Sequence, residues 1–314
     1  MGGTSLVTGG YGRIGRALVD KLLERGDTVI VLDKRKPDQV PFSVKFYETD
    51  LSNTGELKKY MTGVDTVFHL AASIDYSATQ DELFKRNVLP TINLTYVARG
   101  MRVKQFVLLS STAVYGEPED GEPLTEDSPL DPYSTYGKSK LDAERAVMQS
   151  GVPYTIIRSS QVFGPQFKEG YLDVLKKLKS EEMKILGEGN NIIPLVHIDD
   201  LISALMFLEG KRTSLNEVFN VDGGYNMTQA GFLRLAAKLL AVPDPPRVNP
   251  TVARFAAKLS GKKAKGLDEY VDKLTRNRPI SIEKLKKPGW EPKVQLEPAM
   301  RQVIDSFRLS GSLR

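Results

Sequence analysis

The sequence predicts an α/β protein built on a doubly wound parallel sheet, with a smaller C-terminal lobe. Short apolar runs alternate with amphipathic stretches through the first half of the chain, as they do where helices cross over between parallel strands. Residues 29–32, Val-Ile-Val-Leu, are apolar throughout, which is typical of strands covered on both faces. After about residue 160 the pattern changes, and a Gly164-Pro165 loop opens a region of different character.

The individual elements follow from these patterns. Strands are predicted at residues 5–8, 28–32, 44–47, 66–70, 105–109 and 154–157. The helices between them are predicted at residues 13–25, 54–61, 81–99 and 135–149. The first helix places Ile14, Leu18 and Leu22 on one face, and Gly26 follows it as a C-cap. Later in the chain we predict helices at 171–180, 199–208 and 228–240, a strand at 192–198, and a basic helical segment between the proline-rich residues 242–246 and residues 288–292.

Composition excludes several classes of protein. The 314 residues contain no cysteine, which excludes disulfides, thiolate metal sites and a cysteine nucleophile. The 44 lysines and arginines exceed the 39 acids by five and are spread along the chain, so no nucleic-acid partner is predicted. No apolar run has the length of a bilayer crossing, and the N-terminus lacks the basic start of a signal peptide. We therefore expect a soluble, cytoplasmic protein without a membrane partner.

A glycine-rich turn joins the first predicted strand to the first predicted helix. Residues 8–15 read Thr-Gly-Gly-Tyr-Gly-Arg-Ile-Gly. They satisfy G-x-G-x-x-G at Gly10, Gly12 and Gly15, and also the shifted pattern T-G-x-x-G-x-x-G, which starts at Thr8 and uses Gly9. Glycines at these spacings permit a tight turn and bring the backbone close to a pyrophosphate at the helix N-terminus. Between a strand and a helix, the pattern predicts a dinucleotide site of the Rossmann type.

An acid follows where such a site requires one. Asp33 ends the second predicted strand, about twenty residues after the turn, where a carboxylate binds the hydroxyls of the adenosine ribose. A carboxylate at this position repels a 2′-phosphate, which favours NAD over NADP. Lys34 and Arg35 follow at once and would soften that preference.

A tyrosine and a lysine lie at the start of the helix predicted at 135–149. Tyr136 and Lys140 are four residues apart, so they share one face of that helix. A free tyrosine has a pKa near 10, and a nearby ammonium favours its ionised form, so such a pair is suited to acid/base catalysis. Ser111 lies at the C-terminal end of the fifth strand, where open α/β sheets bind ligands. Its hydroxyl can hold a substrate oxygen beside the tyrosine.

Together these residues resemble the extended short-chain dehydrogenase/reductase family, which includes nucleotide-sugar epimerases and dehydratases and enzymes like the 3β-hydroxysteroid dehydrogenases. The resemblance covers nearly the whole chain and is specific in its order and spacing. It also rests on Asn87 and on residues 50–51 (Asp-Leu), 69–72 (His-Leu-Ala-Ala), 110–116 (Ser-Ser-Thr-Ala-Val-Tyr-Gly), 162–165 (Val-Phe-Gly-Pro), 196–200 (Val-His-Ile-Asp-Asp) and 289–292 (Gly-Trp-Glu-Pro).

The resemblance implies an arrangement of domains and a cofactor. Residues 1–163 plus about 192–222 would form the Rossmann domain, and residues 164–191 plus about 223–314 would form the substrate-binding lobe. The cofactor would be NAD, and the protein would be a homodimer. The residues expected to contact NAD are Gly9, Gly12, Arg13, Ile14, Gly15, Asp33, Asp50, Leu51, Leu70, Ala71, Ala72, Asn87, Ser110, Tyr136 and Lys140. Of these, residues 50–51 would flank the adenine, and residues 70–72 would line the pyrophosphate and the nicotinamide ribose.

The resemblance also implies catalytic and substrate-binding roles. Tyr136 would be the acid/base, Lys140 would hold the nicotinamide ribose, and Ser111 would take the position of the active-site hydroxyl. His197 corresponds to a structural histidine of the family, and because His69 is far from it in sequence, no metal site is predicted. The substrate is expected to contact Ser111, Thr112, Gln161, Arg276 and Arg278.

Two departures from the family's patterns reduce the number of possible reactions. Dehydratases and decarboxylases of the family carry an acid after the active-site hydroxyl, where this chain has Thr112 and Ala113. No carboxylate is therefore placed to protonate a leaving hydroxyl. Epimerase-reductases of the fucose type need a cysteine, which this chain lacks. C4 epimerisation and simple alcohol–ketone oxidoreduction remain.

Other residues leave these two reactions open. Nucleotide-sugar enzymes usually have an asparagine at Gln161 and a polar pair at residues 193–195, which here are Ile-Pro-Leu. Both differences favour a less charged substrate. Arg276 and Arg278 can grip a pyrophosphate, but they also fit a solvated basic segment. We expect NAD-dependent C4 epimerisation of a nucleotide sugar of the UDP-glucose/UDP-galactose type. The alternative is an alcohol dehydrogenase like those of the 3β-hydroxysteroid branch, and a non-catalytic binding protein is disfavoured because both Tyr136 and Lys140 are present.

Overall fold

The structure is a computed structural model, and it describes residues 2–75, 77–116, 118, 121–167, 171–251 and 276–313. The strands are β1 (Thr4–Thr8), β2 (Thr28–Asp33), β3 (Val44–Glu48), β4 (Thr66–His69), β5 (Gln105–Ser111), β6 (Tyr154–Ser159), β7 (Gln161–Phe163), β8 (Ile185–Leu186), β9 (Leu195–His197), β10 (Glu217–Val221) and β11 (Arg247–Val248). The helices are α1 (Arg13–Glu24), α2 (Thr54–Tyr60), α3 (Gln80–Leu83), α4 (Leu89–Gly100), α5 (Thr135–Gln149), α6 (Tyr171–Lys179), α7 (Ile198–Leu208), α8 (Gln229–Leu240), α9 (Glu283–Lys286) and α10 (Leu296–Leu309).

Seven strands form one sheet in the order β10-β6-β5-β4-β1-β2-β3. Each neighbouring pair is parallel. The chain winds outward in one direction from β1 to β3 and in the other direction from β4 to β10, so the order reverses between β1 and β4. In a doubly wound sheet, the crevice for ligands opens at the carboxyl ends of the strands at this reversal. The predicted fold class is therefore confirmed.

Four strands, β7, β8, β10 and β11, and the last helix, α10, were not predicted, and only β10 among these strands belongs to the seven-stranded sheet. β10 was not predicted because Asn220 interrupts its apolar pattern. This asparagine is buried, and its side chain accepts a hydrogen bond from the hydroxyl of Tyr115 and donates one to the carbonyl oxygen of Leu124. The strand predicted at 192–198 is confined to β9. It ends there because His197 caps α7, its Nδ1 accepting a hydrogen bond from the N–H of Asp199.

The helix predicted at 81–99 contains a wide turn. α3 continues into a π-helical turn at Phe84–Val88, which continues into α4. Pro90 has no N–H, and in a regular α-helix its ring would collide with the carbonyl group four residues earlier. The wider turn before it accommodates the ring. Asn87 lies in this turn and is 2% exposed.

Apolar side chains cover both faces of the sheet. One core packs Leu6, Val67 and Phe106 against Leu94 of α4. The other begins with Val7 and Phe68, the alternate residues of the same strands, and continues through α7 to α10. It includes, among others, Leu201, Trp290, Ile304 and Phe307. Because this core continues from the sheet into the C-terminal part of the chain, the predicted division into two domains stays a prediction.

The basic segment predicted before residues 288–292 falls largely on residues 252–275, which lie outside the described residues. None of the helices in the described part of the chain combines the length and the apolar composition that a bilayer crossing requires.

Candidate active site

The glycine turn follows the carboxyl end of β1 and is shaped by close backbone approaches. Gly9 has a φ of +66°, a value that glycine adopts readily. Its carbonyl oxygen accepts a hydrogen bond from the N–H of Gly12 at 2.9 Å. A Cβ on Gly15 would lie 2.1 Å from that same oxygen, and one on Gly10 would lie 2.6 Å from Val31. The tight turn therefore requires glycine at these positions.

The turn presents the N-terminus of α1. Gly12 is the N-cap, and no side chain of the described residues caps this helix. An uncapped helix start offers its first N–H groups and its positive dipole end to an anion such as a pyrophosphate. Arg13 and Ile14 begin the helix, and the guanidinium carbon of Arg13 lies 5.5 Å from the ring centroid of Phe167, in the loop after β7. The turn and the helix start together fit a dinucleotide.

The carboxylate at the end of β2 is held beside the turn. Asp33 accepts a hydrogen bond from the N–H of Tyr11 at 3.1 Å. Lys34, predicted to soften the preference for NAD, lies 3.0 Å from the carboxylate of Asp50, so its ammonium has an acidic partner of its own. Leu51 is buried next to that carboxylate. This arrangement fits an adenosine ribose without a 2′-phosphate.

The loop after β4 lies against the glycine turn. The N–H of Leu70 donates to the carbonyl oxygen of Thr8 at 3.3 Å, and the N–H of Ala71 donates to the hydroxyl oxygen of Thr8 at the same distance. A Cβ on Gly9 would lie 2.9 Å from Cα of Ala71, and Ala72 is exposed beside it. The structure thus brings residues 70–72 to the turn, and their contact with NAD stays a prediction.

The first turn of α5 packs closely against the end of β5. The hydroxyl oxygen of Ser134 accepts a hydrogen bond from the N–H of Gly137 at 3.0 Å and caps the helix. A Cβ on Gly137 would lie 2.3 Å from the carbonyl oxygen of Ala113, so glycine is required there. Ser111 accepts a hydrogen bond from the N–H of Ala113 at 3.2 Å, and Tyr136 packs against Ala113 and is 7% exposed. One short turn therefore brings the serine and the tyrosine to the same corner.

Lys140 lies one helical turn after Tyr136, beneath the end of β5. Its Nζ donates to the carbonyl oxygen of Leu109 at 2.5 Å, and the side chain is 4% exposed. Burial lowers the pKa of Lys140 to about 8, and the carboxylate of Glu144 acts in the opposite direction. The ammonium and the phenol share a face of α5, which is the arrangement that their spacing predicts.

The structure does not support a cofactor contact for the hydroxyl of Ser110. Side chains alternate along a strand, so Ser110 and Ser111 point to opposite faces of the sheet. The Ser110 hydroxyl donates to the carboxylate of Glu144 at 2.5 Å, and the side chain is 3% exposed. Ser110 therefore belongs to a buried network that joins β5 to Glu144 of α5, and the role of Ser111 as the active-site serine stays a prediction.

That network contains a buried ion pair that sequence reasoning missed. Arg158 of β6 donates to Glu144 of α5 through Nη2 at 2.8 Å and through Nε at 3.1 Å. The two residues are 2% and 0% exposed. Arg158 also donates to the hydroxyl of Tyr115 at 2.9 Å, and that hydroxyl donates to Asn220 of β10 at 2.7 Å. The signal in the sequence was an arginine directly after the apolar pair Ile156-Ile157 of the predicted strand.

A second buried acid lies at the carboxyl end of β10. Asp222 accepts hydrogen bonds from the hydroxyl of Ser160 at 2.6 Å and from the N–H of Gly224 at 2.7 Å. Burial raises the pKa of Asp222 to about 6, although these hydrogen bonds oppose the shift. Asp222 directly follows a strand, and this position in the sequence could have indicated it. Because β10 was not predicted, the position of Asp222 was not recognised.

We expect Asp222→Asn to stabilise the protein above pH 6. A carboxylate whose pKa is higher in the folded chain than in the unfolded chain makes folding less favourable as the pH rises from about 4 to about 6. Asparagine removes this charge, so the free energy of unfolding at pH 8 should increase by about 2 kcal/mol. At pH 4 the two proteins should differ little. Urea denaturation at both pH values measures the effect, with Asp244→Asn, at a side chain that is 67% exposed, as the control. A less stable variant at pH 8 would contradict the prediction.

The two predicted substrate arginines lie beside the start of α5. The guanidinium carbons of Arg276 and Arg278 lie 4.2 Å and 4.9 Å from the ring centroid of Tyr133, which directly precedes the helix cap. Their segment is fixed to the loop before β9, because Asn277 accepts from the N–H of Ile192 at 2.7 Å. Nε and Nη2 of Arg278 are buried, and no described residue accepts a hydrogen bond from either atom. This arrangement differs from the solvated basic segment that was the other interpretation.

The remaining predicted substrate residues are distributed differently. Thr112 begins a short 3-10 turn at Thr112–Val114 and is half-buried. Gln161 is exposed at the start of β7. Ile193 packs against the larger core and Leu195 is buried in β9, so the apolar residues 193–195 serve packing. They no longer argue for an apolar substrate.

Known proteins resemble this chain over most of its length. A sequence profile described as the NAD dependent epimerase/dehydratase family matches residues 5–222. The UDP-glucose 4-epimerase of Lactobacillus helveticus is 31% identical over 283 residues, which cover 78% of this chain and 84% of that protein.

Solved structures resemble the fold. The UDP-glucose 4-epimerase of Thermotoga maritima, solved with UDP-glucose, superposes with a TM-score of 0.77 and 27% identity, covering 98% of this chain and 99% of that one. MoeE5, solved with UDP-glucuronic acid and NAD, superposes with a TM-score of 0.80 and 25% identity, covering 98% and 100%.

Proposed function

Because this chain belongs to the NAD dependent epimerase/dehydratase family, whose members are NAD-dependent enzymes, we propose that it epimerises a nucleotide sugar at C4. The substrate class is that of UDP-glucose and UDP-galactose. The similarity to the epimerases of L. helveticus and T. maritima supports this reaction.

The arrangement of Arg278 carries the proposal. Two of its guanidinium nitrogens are buried without an acceptor among the described residues, and the group lies over Tyr133 next to α5. Buried guanidinium N–H groups without an acceptor are costly, and a diphosphate is an acceptor that matches the geometry of a guanidinium. Arg276 lies on the same ring and adds positive charge. A diphosphate bound to these arginines would place the attached sugar near Tyr136, since Tyr136 is only three residues after Tyr133.

The residues of the site divide the work of such a reaction. Bound at the glycine turn and Asp33, NAD would supply reversible hydride transfer. Tyr136 takes the proton of the C4 hydroxyl in one half of the reaction and gives it back in the other, which is general acid/base catalysis with a single group. Lys140 holds a positive charge one turn away and favours the ionised phenol. Ser111 orients the substrate oxygen by hydrogen bonding. Thr112 and Ala113 provide no carboxylate, so elimination of a hydroxyl lacks a proton donor.

Sugar interconversion tests the proposal directly. The protein is incubated with UDP-glucose, UDP-galactose and their N-acetyl forms, each in a separate reaction, and the anomeric signals are followed by NMR. We expect one pair of C4 epimers to interconvert without net formation of NADH. No interconversion of any pair, together with steady NADH formation from an uncharged secondary alcohol, would contradict the proposal and favour the dehydrogenase alternative.

Replacing Arg278 should affect the sugar nucleotide and not the dinucleotide. We expect Arg278→Met to raise the KM for the nucleotide sugar about tenfold or more, because a hydrogen-bonded cation is lost from the diphosphate. The affinity for NAD, measured by calorimetry, should stay unchanged. Lys286→Met, at a lysine of α9 that is 39% exposed and pairs with Glu283, is the matched control. An unchanged KM in the Arg278 variant would remove the main support for a diphosphate substrate.

An apolar stripe on α4 supports a homodimer. Leu89, Ile92 and Tyr96 are spaced at helical intervals and are 37%, 40% and 67% exposed, and Met148 of the adjacent α5 is 40% exposed. Burial of this stripe against a second copy would remove it from water. We expect light scattering to give twice the chain mass and Tyr96→Asp to give monomers. Phe42→Asp, at a fully exposed position outside the stripe, should leave the dimer intact. A monomeric unmodified protein at micromolar concentration would contradict this.

A further inference from the structure

A buried chain of hydrogen bonds passes through His69, at the end of β4. Its Nδ1 lies 2.7 Å from the hydroxyl oxygen of Thr8, and its Nε2 lies 2.9 Å from the hydroxyl oxygen of Thr91. His69 is 2% exposed, and Thr8 and Thr91 are 0% exposed. The three side chains are therefore shielded from solvent, and their contacts are with other parts of the protein.

The donors and acceptors in this chain have a fixed direction. The hydroxyl of Thr91 lies 2.6 Å from the carbonyl oxygen of Asn87, which can only accept, so Thr91 donates there and must accept from His69. Nε2 of His69 therefore carries the proton. Burial lowers the pKa of His69 to about 3, and the charge of Lys140 adds to the shift, so the ring is neutral. Nδ1 then accepts from the hydroxyl of Thr8.

The two ends of the chain reach different parts of the site. At one end, the oxygen of Thr8 accepts the N–H of Ala71 at 3.3 Å, in the loop against the glycine turn. At the other end, Asn87 accepts the N–H of Ser73 at 2.7 Å and donates to the hydroxyl of Ser139 at 3.0 Å. Ser139 lies between Tyr136 and Lys140 on α5, and its hydroxyl donates to the carbonyl oxygen of Tyr136 at 2.8 Å.

We propose that His69 is a positioning residue. It connects the loop of residues 70–73, which lies against the glycine turn, to α5, the helix that carries Tyr136. Through Thr8 it fixes the loop, and through Thr91 and Asn87 it fixes the first turn of α5. The wide turn at Phe84–Val88 matters here because it contains Asn87. Only the catalytic consequence rests on the proposed function, since binding of NAD does not depend on which sugar is used.

Variants of two threonines of α4, Thr91 and Thr95, distinguish this positioning role from a general effect on stability. Thr91 and Thr95 are both buried, and each donates to carbonyl groups of the preceding turn. Thr91 donates to Asn87, whereas Thr95 donates to Thr91 and Ile92 and has no hydrogen bond to His69. We expect Thr91→Val to weaken NAD binding about fivefold, as loss of one buried hydrogen bond would. Thr91→Ser should retain the affinity of the unmodified protein, and Thr95→Val should leave it unchanged. Calorimetry without any sugar measures all three, so failure of the epimerase proposal does not affect the result.

The imidazole itself provides the second readout. The chain has two histidines, so 15N labelling of histidine gives two sets of ring signals, and His69→Asn assigns them. We expect the unmodified protein to show His69 as a neutral ring protonated at Nε2 between pH 5 and pH 9. Saturation with NAD should shift its Nδ1 signal. A ring protonated at Nδ1, a ring that titrates in this range, or equal losses of NAD affinity in Thr91→Val and Thr95→Val would each overturn the proposal. So would unchanged affinity in Thr91→Val.

Discussion

Replacing Tyr136 with phenylalanine is expected to lower turnover at least about a hundredfold, the loss typical of a principal acid/base group. The affinity for NAD should remain nearly unchanged, because the phenol moves a proton and contributes little to holding the dinucleotide. The ring of phenylalanine can keep the contacts with Ala78, Leu83 and Ala113, so the fold should hold. Turnover is measured by sugar NMR and NAD affinity by calorimetry.

Two further variants sharpen this result. Tyr154→Phe removes a hydroxyl at the start of β6, at the amino end of the strand and away from the carboxyl ends that form the site, and should leave turnover unchanged. Lys140→Ala should lower both turnover and NAD affinity, because the lysine is expected to contact the ribose as well as to favour the phenolate. If Tyr136→Phe kept more than about a hundredth of the activity, the assignment of the acid/base would be wrong.

Replacing Glu144 with alanine is expected to have the largest effect on stability. The change leaves the guanidinium of Arg158, which is 2% exposed, without its carboxylate, and it also removes the acceptor of the Ser110 hydroxyl. Breaking a buried ion pair in this way costs about 3–5 kcal/mol of the free energy of unfolding. Urea denaturation monitored by circular dichroism measures the difference.

The same helix offers a matched control. Asp142 pairs with Arg145 at 3.3 Å, and the arginine is 61% exposed. Because exposed pairs contribute little, Asp142→Ala should change the free energy of unfolding by less than about 1 kcal/mol. The double variant Glu144→Leu, Arg158→Met should recover much of the stability lost in Glu144→Ala, since it removes both charges. If Glu144→Ala and Asp142→Ala lowered the free energy of unfolding equally, the buried pair would contribute no more to stability than the exposed one.

Local patterns made much of the site predictable. Part of the glycine turn is set by contacts among residues fewer than ten positions apart, such as that of Gly15 with the carbonyl oxygen of Gly9. The pairing of Tyr136 with Lys140 follows from one turn of helix. Both were therefore visible in the sequence before any contact was known.

Long-range contacts account for what was missed. Ser110 and Ser111 are the same residue type, and the sequence does not show which face of the sheet each occupies. The hydrogen bond of Ser110 to Glu144, which pairs with Arg158 of another strand, shows it in the structure. The residues Ile193-Pro194-Leu195 favour a less charged substrate only if they line a pocket, and the sequence does not distinguish an apolar pocket from an apolar core. The acid at Asp222 was missed because β10, which ends before it, contains a buried asparagine.

The π-helical turn at Phe84–Val88 also determines how this segment compares with other chains. A π turn holds one residue more than an α turn, so the helix before it is rotated by about 100° relative to an uninterrupted α-helix. Leu83 can therefore pack beside Tyr136 while Ile92 and Tyr96 stay on the outer surface. Deleting one residue here would restore regular spacing and turn one of these two faces away from its neighbours. A relative with a regular helix must consequently align with a one-residue gap in this turn, and the extra residue is what allows a single helix to serve both the active site and the exterior.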